Sequence, residues 1–221
     1  MERWGASSVF SPLLRLPRRH ARREGAGFSP PCRSSGESRR KGGGGVLPEA
    51  FFEKNACCFT GHRPAGLPEG GDESGAAMAA LKFALLRTVE EAARLGIVTF
   101  LAGGAEGFDL LAAEAVLACR GDYPALRLLL ALPSRTHMER FSADAKLRYD
   151  RVLRAAQDIY YASEADNGFF AMHRRNRYLV DHADCCIAYL KTMSGGTFYT
   201  VNYALERGLP IFNLYEPGGS C

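Results

Sequence analysis

The stretch "LAGGAEGFDLLAAE", residues 101 to 114, joins an apolar segment to a helical pattern through a glycine-rich turn. Glycines at such a turn usually let the backbone approach a ligand phosphate. Here Glu106 and Asp109 stand at the start of the helical pattern, where they would repel an anion. Because carboxylates accept hydrogen bonds from hydroxyl and amine groups, we predict that this turn binds a sugar or a base edge. The alternative, that Asp109 only complements the helix dipole, stays open.

Outward from this turn, short apolar segments alternate with helical patterns. The strand-like segments are 56–60, 97–102, 126–132, 158–162, 185–190 and 210–215. Helical spacing covers 74–96, 107–119, 139–156, 169–183 and 197–207, and Ser74 is the expected cap of the first helix. Strands that are apolar throughout are typical of sheets covered by helices on both faces. The sequence therefore predicts a single α/β domain with a doubly wound, mostly parallel sheet.

Composition limits the class of protein. The chain has 221 residues, and none of its apolar runs reaches the roughly 18 to 20 residues of a membrane-spanning helix, so no membrane is expected as a partner. The seven cysteines include no C-x-x-C pair, and the histidines lack metal-ligand spacing. No metal site is therefore expected. In the absence of a secretory signal, a cytoplasmic location is the simplest interpretation.

Charge is distributed unevenly along the chain. Residues 1 to 53 carry ten Lys or Arg against five Asp or Glu, a net of +5, whereas the formal charge of the whole chain is +4. The body is thus close to neutral, which argues against nucleic acid as its partner.

The first 53 residues are rich in Arg, Gly, Ser and Pro and are predicted to be disordered, with the domain covering 54–221. Three interpretations of this basic extension stay open. It is a nucleic-acid-binding arm, an organelle transit peptide, or the product of a start assigned too early, with initiation near Val46 or Leu47.

Candidate ligand-binding residues follow the strands, because ligands of doubly wound sheets bind beyond the carboxyl ends of the strands. None of the loops matches G-x-G-x-x-G or G-x-x-x-x-G-K-[ST], so neither a nicotinamide cofactor nor Walker-type ATP hydrolysis is expected, and no other cofactor is predicted. The candidates are Thr60, Gly61, His62, Arg63, Gly103, Gly104, Gly107, Asp109, Glu114, Arg175, Asn176, Ser194, Gly195, Gly196, Thr197 and Thr200.

The segment "SGGT", residues 194 to 197, is the predicted phosphate site. The helix that follows it has Thr197 and Thr200 in its first turn, and its first carboxylate, Glu206, comes near the far end. The free N–H groups and partial positive charge of this helix start favour an anion. The alternative is that the glycines only make a tight turn.

The helix over 169–183 has polar residues on its apolar face. The predicted inward stripe is Met172, Arg175, Asn176, Leu179 and Ala183. A buried Arg175 would either pair with Asp109 or Glu114 or bind a ligand phosphate, and the sequence does not decide between these. Arg174 and Arg177 are expected to face solvent.

Three segments, "CCFTGHRP", "AGGAEGFDLLAAE" and "RNRYLVDHADCCIAYLKTMSGGTFYTVNYALERGLPI", resemble the YpsA/YoqJ-like proteins of the SLOG superfamily over residues 55 to 215. This Rossmann-like group also includes the Lonely guy phosphoribohydrolases and DNA-processing protein A. The resemblance implies a nucleotide-type ligand at the glycine loops. YpsA-like members themselves are largely of unknown biochemical function.

The hydrolase branch carries M-x-x-R-K and P-G-G-x-G-T-x-x-E, whose Arg and last Glu are catalytic. Arg175 matches the Arg, but Thr200 stands at the Glu position, and Thr cannot supply a carboxylate. Catalytic residues are therefore not assigned, and Asp109 or Glu114 would have to substitute.

These observations predict a nucleotide-binding sensor or regulatory domain. The alternatives are a nucleotide ribosyl hydrolase or transferase and a single-stranded-DNA-handling protein, the latter opposed by the near-neutral body. A homo-oligomer stays open.

Overall fold

The computed structural model describes residues 47, 51, 54–164 and 168–215, and the described residues belong to one compact unit. Its strands are β1 (Ala56–Gly61), β2 (Thr99–Ala102), β3 (Arg127–Leu132), β4 (Asp158–Tyr161), β5 (Cys185–Tyr189) and β6 (Ile211–Asn213). Its helices are α1 (Ala76–Arg94), α2 (Phe108–Cys119), α3 (Ala143–Ala155), α4 (Phe169–Asp181) and α5 (Gly195–Glu206). Two short 3-10 turns, Pro64–Gly66 and Pro68–Gly71, follow β1. None of the helices in these ranges is long and apolar enough to cross a membrane.

The six strands form one sheet in the order β4-β3-β2-β1-β5-β6, and each of its strand pairs is parallel. Helices α1, α2 and α3 pack on one face, and α4 and α5 pack on the other. The predicted doubly wound α/β fold is thus confirmed. The winding reverses between β1 and β5, so their carboxyl ends flank the crevice in which such folds bind ligands.

The apolar strands supply two core layers. Phe59 and Phe100 stack at 5.6 Å between ring centroids on the α1–α3 side, while Leu179 and Val201 pack on the α4–α5 side. Burial on both faces explains why the strands show no polar alternation.

The core includes residues that precede residue 54, the predicted start of the domain. Leu47 and Phe51 are buried, and Phe51 meets Phe212 edge to face at 6.5 Å. The prediction of disorder for residues 1–53 otherwise lies outside the described residues.

Helix ends differ from the predicted ones. Ser74 does not cap α1: Gly75 is the N-cap, and the Ser74 hydroxyl donates to Asp72 at 2.7 Å instead. Helix α3 begins four residues later than predicted, because Ser142 caps it by accepting from the Ala145 N–H. Helix α5 begins two residues earlier, at Gly195. Apolar spacing locates a helix but not its cap, since the capping partner is chosen by local geometry.

Candidate functional site

The glycine turn after β2 is filled by the protein's own side chains. A Cβ on Gly103 would overlap both Arg175 Nη1 and Asp109 Oδ2. Gly107 has a φ of 100°, and a Cβ there would lie 2.7 Å from the His62 carbonyl oxygen. These two glycines are therefore explained by close approach of side chain and backbone within the chain, without a ligand.

Arg175 and Asp109 form a buried ion pair above Gly103. Arg175 Nη1 donates to Asp109 Oδ2 at 3.1 Å, and each residue is only 6% exposed. Burial raises the pKa of Asp109, against the opposing effect of the Arg175 and Arg63 charges. Arg175 Nε is buried and has no hydrogen-bond partner among the described residues. Of the alternatives for Arg175, the salt bridge to Asp109 is the one observed.

Glu114 lies apart from this pair. Arg148 on α3 donates two hydrogen bonds to the Glu114 carboxylate, from Nε to Oε1 at 2.7 Å and from Nη2 to Oε2 at 2.5 Å. It also forms a salt bridge with Glu73. Arg148 lines a cavity of about 380 Å³ beside α2 and α3, whose walls also carry Glu106 and Asp144. The suggested contact of Glu114 with Arg175 is thus not formed, because α3 supplies a nearer cation.

His62, directly after β1, connects the loop after β1 to the loop after β5. His62 Nε2 accepts from the backbone N–H groups of Lys191 at 2.9 Å and Thr192 at 3.3 Å. Burial, together with the Lys191 charge, lowers the pKa of His62, which suits a neutral ring acting as acceptor. Thr60 is buried, and Gly61 leaves no room for a Cβ beside the Phe108 ring. The guanidinium of Arg63 is exposed, 5.9 Å from the Phe141 ring centroid.

The start of α5 is open, whereas the glycine turn after β2 is filled. A Cβ on Gly195 or Gly196 would meet nothing within 4 Å, and both residues are exposed. The N-cap, Ser194, makes no side-chain capping bond, and no acid lies in the first turn. Thr197 is buried, and the Thr200 hydroxyl donates to the Gly196 carbonyl at 2.8 Å. This arrangement leaves backbone N–H groups available to an anion.

The inward face of α4 was only partly predicted. Met172 is 37% exposed, Asn176 is half-buried, and Ala183 lies beyond the helix. The buried residues are Ala171, Arg175, Leu179 and Val180. The predicted stripe is correct for Arg175 and Leu179, whereas Ala171 and Val180 are buried in place of Met172 and Asn176. Arg174 and Arg177 are exposed, as predicted.

Sequence reasoning missed a groove between α4 and α5. It has a volume of about 330 Å³ and opens next to the exposed start of α5. Its lining residues are Arg177, Gly195, Phe198, Tyr199, Asn202, Tyr203 and Glu206. The available signal was the aromatic residues at helical spacing in "TFYTVNYALE". Within residues 54–164 and 168–215, no three His, Cys, Asp or Glu side chains gather as a metal ion would require.

Solved structures share the fold. DNA processing protein A from Helicobacter pylori, described for its single-stranded DNA binding mode, matches with a TM-score of 0.53 and 19% identity, covering 79% of this chain and 72% of that one. DNA processing protein A from Streptococcus pneumoniae matches with a TM-score of 0.51 and 15% identity, covering 77% and 54%.

The expectation that nucleic acid is not a partner is contradicted by these neighbours, since the Helicobacter pylori protein binds single-stranded DNA. The expectation rested on net charge. Net charge averages over the whole surface, whereas binding depends on the local potential of one face.

Sequence relatives are informative about family. The uncharacterized SPbeta prophage-derived protein YoqJ of Bacillus subtilis (strain 168) is 31% identical over 144 residues, which cover 60% of this chain and 84% of YoqJ. The UPF0398 protein SH1465 of Staphylococcus haemolyticus (strain JCSC1435) is 26% identical over 108 residues, 48% of this chain and 56% of that protein. The profile of YpsA, described as the YspA SLOG family, matches residues 57–208. The chain therefore belongs to the YpsA-like SLOG family.

Proposed function

We propose that this chain binds the phosphate of a nucleotide or a nucleotide-derived ligand at the start of α5, as a sensor or regulatory module. One observation carries the proposal: Gly195 and Gly196 face open space at an acid-free helix start, whereas Gly103 and Gly107 are closed off by the protein. The φ of 79° accounts for a glycine at position 195, whereas neither an internal contact nor a left-handed φ requires one at 196, so Gly196 is the glycine available for a ligand to approach.

The position of this helix start supports the proposal. It follows β5, which borders β1 where the winding of the sheet reverses, and ligands of doubly wound folds bind at that crevice. His62 holds Lys191 and Thr192 by their backbone N–H groups, and so fixes the loop that leads into α5. Preorganised N–H groups bind an anion at a lower ordering cost than mobile ones.

The paired acids weigh against the hydrolase alternative. Asp109 is engaged by Arg175, and Glu114 by Arg148. Thr200 stands at the position where the related hydrolases carry their catalytic Glu, and its hydroxyl donates to the Gly196 carbonyl. Both carboxylates are thus occupied by arginines of the chain itself, and Asp109 is also buried, so neither is free to act as a general acid or base on a ligand.

A phosphate at the start of α5 can belong to a free nucleotide or to a DNA strand, and the Helicobacter pylori fold neighbour is described for its single-stranded DNA binding.

A cytoplasmic site of action is part of this proposal. It is supported by the free, buried thiols of Cys57, Cys58, Cys119, Cys185 and Cys186.

Two glycine variants test the proposal. Gly196→Asp places a negative charge at the helix start, and Gly121→Asp is its matched control, since neither glycine has a neighbour within 4 Å of its Cβ position or a left-handed φ. We expect Gly196→Asp to abolish the thermal shift produced by the nucleotides that stabilise the wild type. Its own melting temperature should not fall, because an acid in the first turn complements the helix dipole. Unchanged nucleotide affinity in folded Gly196→Asp would refute the placement.

A further inference from the structure

A row of π-systems runs from the amino-terminal end of α4 to Tyr199, which lines the groove between α4 and α5. The rings of Phe169 and His173 lie 4.0 Å apart between centroids, and His173 lies 4.0 Å from Tyr199. Arg177 continues the row: its Nε donates to the Tyr199 hydroxyl at 2.9 Å, and its guanidinium lies 5.4 Å from the Tyr203 ring centroid.

The amino-terminal end of this row is exposed apolar surface. Phe169 is 65% exposed and Phe170 is 78% exposed, and their rings meet edge to face at 6.1 Å between centroids. Single exposed apolar residues need no explanation, but a group of them beside a groove marks an interaction site.

Charge indicates which partner this surface fits. Residues 168–180 and 191–205, which form the upper part of both helices and the loop into α5, contain no Asp or Glu. Their exposed cations are Arg174, Arg177 and Lys191, because Arg175 is buried against Asp109. Asp181 and Glu206 come only at the far ends of the two helices. Glu206 lines the groove at the far end of α5, whereas the end beside Gly195 has aromatic residues interleaved with cations, which suit a polyanion whose units have flat apolar faces.

We propose that the α4–α5 groove binds a single-stranded oligonucleotide, with bases stacked on Phe169, Phe170 and the rings below them, and phosphates on Arg177, Lys191 and the start of α5. This inference rests on the proposed phosphate site, because the groove opens beside Gly195. From Phe169 to Arg177 the helix rises by about 12 Å. That length exceeds the roughly 3.4 Å spacing of stacked bases several-fold, so the row accommodates more than one nucleotide.

Fluorescence anisotropy of the full-length protein with a labelled thymidine oligonucleotide of about 12 nucleotides tests the proposal. We expect Phe169→Ala and Phe170→Ala each to weaken binding about fivefold or more, since base stacking contributes about 1 kcal/mol or more per aromatic ring. Phe83→Ala is the matched control, because Phe83 is 58% exposed on α1, which packs on the other face of the sheet. Its affinity should equal that of the wild type. All of these proteins keep residues 1–53, so nonspecific binding by the basic extension is common to them.

A second pair of variants tests the phosphate contact. Arg177→Gln should weaken binding and reduce the slope of log affinity against log salt by about one, whereas Arg151→Gln, an exposed arginine on α3, should change neither. Oligonucleotide affinity that is unchanged in both Phe170→Ala and Arg177→Gln would overturn the proposal.

The competing occupant of this surface is a second copy of the chain. A wild-type dimer that Phe170→Ala separates in sedimentation equilibrium, with oligonucleotide affinity unaffected, would also overturn the proposal. The phosphate site and the groove can be tested separately. If Gly196→Asp still binds mononucleotides, the phosphate site is wrong. If Gly196→Asp loses mononucleotides but Phe170→Ala and Arg177→Gln both retain the oligonucleotide, only the groove is wrong.

Discussion

Arg175 on α4 reaches across the carboxyl end of β2 and binds Asp109 on α2 directly above Gly103. The pair links helices on opposite faces of the sheet over the edge where ligands of such folds bind. It explains the glycine turn at 103–107 as an internal requirement of the fold, whereas the glycines at the start of α5 meet no such contact.

Removing one partner of this pair should be costly. Arg175→Met leaves the carboxylate of Asp109 buried without its cation, so we expect the free energy of unfolding to fall by about 3 to 5 kcal/mol. The loss should shrink at acid pH, because protonated Asp109 needs no cation. In the double variant Arg175→Met, Asp109→Asn most of the loss should be recovered. Urea denaturation of the three proteins measures this, and a single variant as stable as the wild type would show that the pair is not structural.

Gly103→Ala should be strongly destabilising. Its methyl group would occupy the space of Arg175 Nη1 and Asp109 Oδ2, so we expect a loss of about 2 kcal/mol or more in unfolding free energy. Gly121→Ala is the control, since a methyl group there meets nothing within 4 Å. In an Arg175→Met background the cost of Gly103→Ala should be smaller, because the two changes act on one contact. Additive costs would contradict the contact.

His62 should make stability depend on pH. Its folded-state pKa is lowered from 6.5, so the contribution of the neutral ring is present above about pH 6.5 and is lost as pH falls through the folded-state pKa. NMR titration should give a pKa below 6.5 for His62, and Lys191→Gln should raise it. His62→Phe should lose the part of the acid-induced fall in melting temperature that comes from this ring. A His62 pKa above 6.5 would show that the ring does not act as the acceptor for Lys191 and Thr192.

The paired acids should leave the protein without ribosyl hydrolase activity. We expect incubation with nucleoside monophosphates or NAD to release no free base above background, as measured by chromatography. Base release that Asp109→Asn or Glu114→Gln abolishes would show that one of these carboxylates is catalytic.

The sequence predicts the fold well, because apolar strands and helical spacing report directly on burial. It leaves open which acid pairs with Arg175. Asp109 and Glu114 lie on the same helix. Glu114 pairs with Arg148 on α3, so Asp109 is the acid that pairs with Arg175. The row of aromatic residues beside the α4–α5 groove depends on His173 meeting Tyr199, and spacing within either helix does not reveal this contact between residues of two different helices.

The backbone amides of the two glycine turns provide the most direct test of the central claim, that phosphate binds at α5 and not at the turn after β2. An amide-resolved NMR titration with inorganic phosphate and nucleoside monophosphates would follow both turns in one experiment. We predict the largest shifts at the amides of Gly195, Gly196 and Thr197, and small ones at Gly103 and Gly104. Shifts centred on Gly103 and Gly104, or no shifts at 195–197 at saturating ligand, would contradict the account.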